Sequence, residues 1–326
     1  MTISSQSPNK KISRYEKLIG KSAAMQKAYQ QIEQAAATEI PVLLIGETGT
    51  GKDLAAQAIH QRSSRKEGPY IPVNLGAIPS ELVASELFGH EKGAFTGALK
   101  QYKGKFEQAL DGIVFLDEID SIDEKVQVSL LRLIEQKRFH RLGGKRSIVT
   151  NARIIAATNA DVDDLLEGDG FREDLFYRLD VFRITMAPLR KRGRDIILLA
   201  ENFIKRFNQP LGKSIKRLAP ESRQVLQEYN WPGNVRELKN VIQRAMLMCE
   251  GSELYPQHLP RRFHRGSGDS ALPEMTFRIG TPLDEIERDI ILRTLEITGN
   301  NRTEAAKLLG ISRRAIYNRL KKHNID

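Results

Sequence analysis

At 326 residues, with 40% apolar and 28% charged side chains, the chain has room for about two domains and the composition of an ordinary globular protein. No apolar run approaches the roughly 20 residues a membrane span needs. No signal-peptide stretch opens it, and its single cysteine, Cys249, excludes a disulfide framework, so the expectation is a cytoplasmic protein with no membrane partner. A net charge of +10 points to a polyanionic partner, while the six histidines lack metal-ligand spacing.

Taken in order, Met1 to Lys17 is polar and basic and reads as a disordered tail. Ser22 can cap a helix running through Met25, Tyr29 and Ile32 to the alanines at 35 to 37. Pro41 to Ile45 reads as a buried strand. It runs into Gly46, Glu47, Thr48, Gly49, Thr50, Gly51, Lys52 and Asp53 and then into the helix-forming stretch Leu54 to Ile59. Strand, glycine loop and helix form the context in which backbone N–H groups converge on phosphate oxygens, with Lys52 reaching the β- and γ-phosphates. Asp53 stands where most phosphate loops carry a hydroxyl, so it holds a metal through water or not at all. A glycine-rich turn with a surface lysine is the plainer alternative.

Tyr70 to Asn74 reads as a second strand, with Asn74 facing a nucleotide or merely turning the chain, and Pro79 to Phe88 as a helix. Gly89 to Ala98 then defies core packing. Glycines and alanines around Phe95 and Thr96 suit an exposed loop tip, and an aromatic there reads as a contact point for a partner. Ile113 to Glu118 is four apolar residues followed by two carboxylates, the pattern of a buried parallel strand delivering acids to an active site. Asp117 would hold hydrated Mg²⁺ and Glu118 would polarise the attacking water. A helix is expected over Val126 to Phe139, and buried strands over Arg153 to Asn159 and Val181 to Ile184. Between those strands lie Arg172 and Arg178, surface charges in a monomer but able to reach a neighbour's nucleotide in a ring.

Past Pro188 three helices are expected, Arg194 to Phe207, Pro220 to Tyr229 and Asn234 to Glu250, forming a small lid. Asn234 would cap the third with Glu237 in a box-like arrangement, fixing Arg236 in the first turn beside an anion. Leu259 to Pro282 reads as a linker. Leu283 to Thr298, Arg302 to Leu309 and Arg313 to His323 follow as helices, with a tight glycine turn at Gly310 between the last two. Ile311 to His323 carries five Lys/Arg and no acid. On this element Arg313, Arg314, Asn318 and Arg319 are candidates for base edges and Lys321 and Lys322 for phosphates. Arg302, Ser312 and Tyr317 complete the candidate DNA surface.

From about Leu18 to the C-terminus these residues resemble the bacterial enhancer-binding proteins, the AAA+ activators of sigma-54 RNA polymerase with a Fis-like helix-turn-helix. The resemblance implies an α/β ATPase with a parallel five-stranded sheet (18–190), a helical lid (191–258), a linker (259–282) and an all-α DNA-binding domain (283–326). Gly46 to Asp53 match Walker A in the family's own form, which tolerates the acid at 53. Asp117 and Glu118 match Walker B, and Asn74 the residue coupling it to the loops. Thr158 and Asn159 match sensor I, Arg172 and Arg178 the trans-acting arginines, and Arg236 sensor II. Gly93, Ala94, Phe95, Thr96, Gly97 and Ala98 match the GAFTGA loop that contacts sigma-54. Asp180 departs from the family's usual asparagine.

The implied cofactors are ATP and Mg²⁺. The implied partners are sigma-54 RNA polymerase, double-stranded enhancer DNA and further copies in a ring, a hexamer in the family. About twenty residues before the ATPase leave no receiver module, which resembles the subgroup typified by the phage shock activator, controlled by a separate regulatory protein acting in trans. Two other readings stay open: a DNA-bound AAA+ motor or loader unrelated to sigma-54, and a non-catalytic DNA-binding repressor.

Overall fold

The computed structural model describes residues 14–15, 18–160, 162–167, 170–263, 275–278, 280–299 and 301–323. Most of the tail expected over 1–17, and residues 264–274 of the expected linker, lie outside them. The chain divides into two units, Met1–Gly266 and Ser267–Asp326.

Five apolar runs build the central sheet of the first unit. They are β1 (Val42–Ile45), β2 (Tyr70–Asn74), β3 (Ile113–Asp117), β4 (Arg153–Thr158) and β5 (Arg183–Thr185), all parallel and in the order β5-β1-β4-β3-β2. Because side chains alternate along a strand, the three central strands β1, β3 and β4 each feed two cores, while the edge strands give less, β2 chiefly Val73 and β5 only Ile184. Val42, Leu44, Ile113, Phe115, Ile155, Ala157 and Ile184 face one side, where α1 (Ala23–Ala36) and α2 (Lys52–Arg62) cover them. Leu43, Val73, Val114, Leu116, Ile154 and Ala156 face the other. There α3 (Ser80–Phe88), α4 (Glu124–Gln136) and α5 (Glu173–Leu179) supply the cover. Ser22 caps α1 as expected, its hydroxyl accepting from the Met25 N–H.

The helix expected over Val126 to Phe139 is shorter. It stops at Lys137, whose φ of +56° turns the chain, and Arg138–His140 pairs antiparallel with Ser147–Val149. Aromatic packing accounts for the change. Phe139 lies among Phe88 and Phe106, with ring centroids 6.0 and 6.4 Å away, a place an extended residue reaches and a continued surface helix would not.

The lid is α6 (Asp195–Asn208), α7 (Pro220–Glu228) and α8 (Asn234–Met248) around Trp231, which is fully buried and donates its indole N–H to the Leu226 carbonyl. Leu259 and Phe263, read from sequence as linker, are buried in this core, and Phe263 stacks obliquely on Trp231 at 5.4 Å. Cys249 is buried there too.

The second unit holds α9 (Leu283–Ile297), α10 (Arg302–Leu308) and α11 (Arg313–Lys322) around Ile291, Leu295, Ala305, Ala306, Ile316 and Leu320. Asn301 and Ser312 cap α10 and α11 through their side-chain oxygens. Gly310, at φ +66°, makes the tight turn between them.

Candidate active site

The carboxyl ends of β1, β2, β3 and β4 converge, as ligand sites do in open parallel sheets. They enclose a cleft of about 240 Å³ lined by Thr48, Gly49, Gly51, Lys52, Asp53, Asn74, Asp117, Glu118, Asn159 and Arg236. Nine of these ten come from the three sheet motifs named in the sequence and Asn74; Arg236 comes from the first turn of the lid helix α8. Residues as distant as 48 and 236 meet because α8 begins on top of the phosphate loop, the Val235 N–H donating to the Gly49 carbonyl at 3.0 Å.

Lys52 opens α2 and is 8% exposed. Its Nζ donates to the Gly46 carbonyl at 2.5 Å and to that of Glu47 at 3.4 Å. Burial pulls its ammonium below the ordinary lysine range, opposed by the carboxylates of Asp117, Asp120 and Glu118. Asp117 closes β3, and burial pushes its carboxyl above the ordinary range, with Lys52 countering. A buried cation poised against carboxylates at a helix N-terminus is a donor set suited to a polyphosphate with a divalent cation, and the residues present fit both.

Glu118 lies one residue beyond the strand, at φ +57° and ψ +50°, a left-handed conformation costing a non-glycine residue about 1–2 kcal/mol. Its Oε2 rests over Gly76. A Cβ built there would stand 1.9 Å from that oxygen. Asn74, expected beside this glutamate, caps the short turn Leu75–Ala77, its Oδ1 accepting from the Ala77 N–H at 3.1 Å. Its side chain still faces the cleft, but no hydrogen bond joins it to Glu118 among the described residues.

Of the sensor pair, Asn159 lines the cleft and donates to the Thr48 hydroxyl at 3.3 Å. Thr158 is turned away. Its buried hydroxyl donates to Asp120 Oδ1 at 2.6 Å and accepts from the Ala160 N–H at 3.1 Å. Asp120 was missed in the sequence, although an acid two residues after Glu118 was a visible signal. Asn234 was misassigned, since Gly233 occupies the cap position and Glu237 accepts from the Gly233 N–H at 2.9 Å. The Asn234 amide instead spans from the lid to the phosphate loop. Of the phosphate-loop residues, Gly46, Glu47 and Thr50 do not line the cleft; the Thr50 hydroxyl donates to the Glu47 carbonyl at 2.7 Å.

Arg172 and Arg178 also lie outside the cleft. Arg172 pairs with Asp174 at 2.8 Å and Glu124 at 3.3 Å, and Arg178 with Glu135 at 3.0 Å, all with exposed guanidinium groups. Asp180 pairs with Arg183.

The loop carrying Phe95 rises between α3 and a short strand at Tyr102–Lys103. It is pinned at its base, where the Gly93 N–H donates to the Ala98 carbonyl at 2.8 Å and Ala98 is buried. Gly93 and Gly97, at φ +82° and +103°, make the bends that leave Thr96 exposed and Phe95 41% exposed. Phe95 meets the His90 ring edge-on at 5.0 Å. Arg141 of the hairpin joins Glu91 at 2.8 Å to Glu107 at 2.7 Å, bracing the loop base.

In the second unit α11 has two faces. Arg313, Arg314, Tyr317, Asn318 and Lys321 are exposed, with Ser312 before them, and the Arg302 guanidinium stacks over the Tyr317 ring at 5.4 Å. Arg319, expected at base edges, bonds instead to Glu287 of α9 at 2.6 Å. Lys322, expected on phosphates, bonds to Asp284 at 2.6 Å and Glu287 at 3.3 Å. Both lie on the side of α11 that meets α9, Arg319 half-buried and Lys322 still exposed.

Comparison with known proteins finds three family matches in succession along the chain. Residues 18–185 match the sigma-54 interaction domain family, 190–274 the AAA+ ATPase lid domain family and 282–323 the Fis family of bacterial regulatory proteins. The chain is 43% identical over 312 residues to the nitrogen fixation protein VnfA of Azotobacter vinelandii, covering 95% of this chain and 59% of that one. It is 41% identical over 313 residues to the regulatory protein AtoC of Escherichia coli, covering 95% and 68%. NtrX of Brucella abortus, solved in complex with ATP, superposes with a TM-score of 0.71 at 31% identity, covering 94% of this chain and 70% of that one. The chain thus spans somewhat over half the length of VnfA. No described helix is long and apolar enough to cross a membrane. With three consecutive family matches laid along a Walker cleft, a helical lid and a capped helix-turn-helix, the chain belongs to the sigma-54 interaction domain family of AAA+ ATPases and carries a Fis-type helix-turn-helix.

Proposed function

We propose that this protein is an ATP-driven activator of sigma-54 RNA polymerase that binds enhancer DNA through α11 and works as a ring, a hexamer by family resemblance, in the cytoplasm. The observation that carries the reading is the coexistence, in one α/β unit, of a complete nucleotide cleft and an intact Gly93–Ala98 loop whose tip, Phe95 and Thr96, is exposed. A motor or loader has no use for that loop, and a repressor with a relic ATPase has no use for Lys52, Asp117 and Glu118 held together.

Lys52 and the loop amides would hold the phosphates of ATP, and Asp117 would hold a hydrated Mg²⁺, which when bound would supply charge neutralisation at the phosphates. Glu118 orients and deprotonates the attacking water. Arg172 and Arg178 act from the neighbouring subunit. Support for that role is their exposure outside their own chain's cleft, and an arginine supplied in trans can contribute about 10³- to 10⁵-fold. Asn74 and Asn159 read the state of the γ-phosphate, and the loop carrying Phe95 and Thr96 delivers the result to sigma-54. On DNA, Arg313, Arg314 and Asn318 read bases and Lys321 meets phosphate.

The test is open-complex formation by purified sigma-54 polymerase at an activator-dependent promoter with ATP, comparing the protein with Glu118→Gln. Opening by the intact protein alone is the expected result. ATP hydrolysis without opening by either would hand the reading to the motor or loader.

A further inference from the structure

Glu47 belongs to the phosphate loop in sequence, yet its carboxylate leaves the cleft for the lid. Both oxygens accept from Arg190, at 2.5 and 2.8 Å, in a two-pronged guanidinium–carboxylate pair. Oε2 also accepts from the Asn234 amide at 3.0 Å. Asn234 is fully buried and held at φ +50°. Its amide nitrogen donates in addition to the Thr48 carbonyl at 3.1 Å, while its oxygen accepts from the Leu189 N–H at 2.7 Å. Gly49 completes the contact, since a Cβ there would stand 2.5 Å from the Gly233 carbonyl oxygen. Three successive loop residues, 47 to 49, are therefore fastened to the turn Leu189–Lys191 and to the start of α8. Arg236 follows two residues after Asn234 and lines the cleft.

We propose that Glu47 is a positioning residue that acts through the lid: by clasping Arg190 and Asn234 it sets where α8 begins, and so delivers Arg236 to the nucleotide. The proposal rests on the reading of the cleft as an ATP site. Magnitudes separate this role from a merely stabilising one. The side chains of Glu47 and Arg190 are 38% and 40% exposed, and ion pairs that open to solvent contribute little to folding. What such a pair does supply is direction, because the planar fork fixes the angle between its partners.

The experiment is a thermodynamic cycle on the full chain, with a fluorescent ADP analogue as probe and unfolding without nucleotide as the control for folding. Glu47→Ala and Arg190→Ala, the second leaving the phosphate loop intact, should each weaken binding about tenfold. In an Arg236→Ala background each should change it less than about twofold, because the group they position is gone. Glu47→Gln keeps one oxygen to accept from Arg190 and Asn234 but sets its amide NH2 against the second guanidinium prong, so it should recover only part of the loss. Losses that multiply with Arg236→Ala would overturn the proposal, as would wild-type affinity in Glu47→Ala. Failure of the nucleotide reading itself would look different, since the unmodified chain would then not bind the probe.

Discussion

The cleft and the exposed face of α11 are both built from charged side chains, but the protein obtains those charges in opposite ways. In the cleft, Lys52 and Asp117 are withdrawn from water, and burial displaces both from their ordinary pKa values toward neutrality. That cost is only sustained where strand ends and a helix N-terminus hold the groups in place. On α11 solvation is cheap and charge is plentiful, and the fold uses some of it for itself: Arg319, Lys322 and His323 all converge on Glu287. Charges in the first region thus sit in a built cleft, whereas in the second several are already paired within the fold.

The sharpest way to break the comparison is in the cleft. Glu118→Gln keeps shape and hydrogen bonding while removing the base, and should lower kcat about 10²- to 10⁴-fold in a steady-state ATPase assay, with nucleotide affinity retained. Gly76→Ala tests the same group without touching it. The new Cβ would require the Glu118 carboxylate to move, so kcat should fall about 10²-fold with little change in the affinity for ADP. An unchanged kcat would mean that the glutamate works from a different rotamer.

How much of this was legible in the sequence follows from the same contrast. The three central strands were readable because a strand buried on both faces is a run of apolar residues, the two half-exposed edge strands were readable as shorter apolar stretches, and the order of motifs placed the cleft. What was missed depends on partners remote in sequence. Phe139 leaves a helical pattern because Phe88 and Phe106 await it. Asn234 has the sequence of a cap but the surroundings of a bridge, since Glu47 lies 187 residues away. Thr158 looks like half of a sensor until Asp120 claims its hydroxyl. Arg319 looks like a base reader until α9 packs beside it. Local chemistry fixed each residue's capacity to bond, and tertiary packing chose the bond.

On α11 the expected effects are smaller and discriminate between its two faces. Arg314→Ala should cost specific DNA binding about 1–3 kcal/mol and relax discrimination at one position, measured by gel shift at fixed salt. Lys321→Ala should reduce the slope of log affinity against log salt by about 1. Lys322→Ala should leave that slope near its wild-type value, because Asp284 and Glu287 already hold the ammonium. Equal slopes for the two variants would merge the faces and return Lys322 to the interface.

The smallest effect probes the hub on which the second face depends. Glu287 is pulled from its ordinary 4.5 down to about 2, first by the His323 ring and then by Arg319 and Lys322. A carboxyl depressed in the folded state binds fewer protons there than when unfolded. The stabilisation is thus complete above about pH 4.5 and is lost as pH falls toward about 2. Glu287, Arg319 and Lys322 are open to solvent and only the His323 ring is enclosed, so the effect is modest and shrinks further with salt. Hydrogen-exchange protection of the α11 amides in the full chain, corrected for intrinsic rates, should fall across that window in the wild type. In Glu287→Gln it should fall less steeply, the difference closing at high ionic strength. Identical profiles would show that α11 is held by Ile316 and Leu320 alone and that its second basic face is as free as its first.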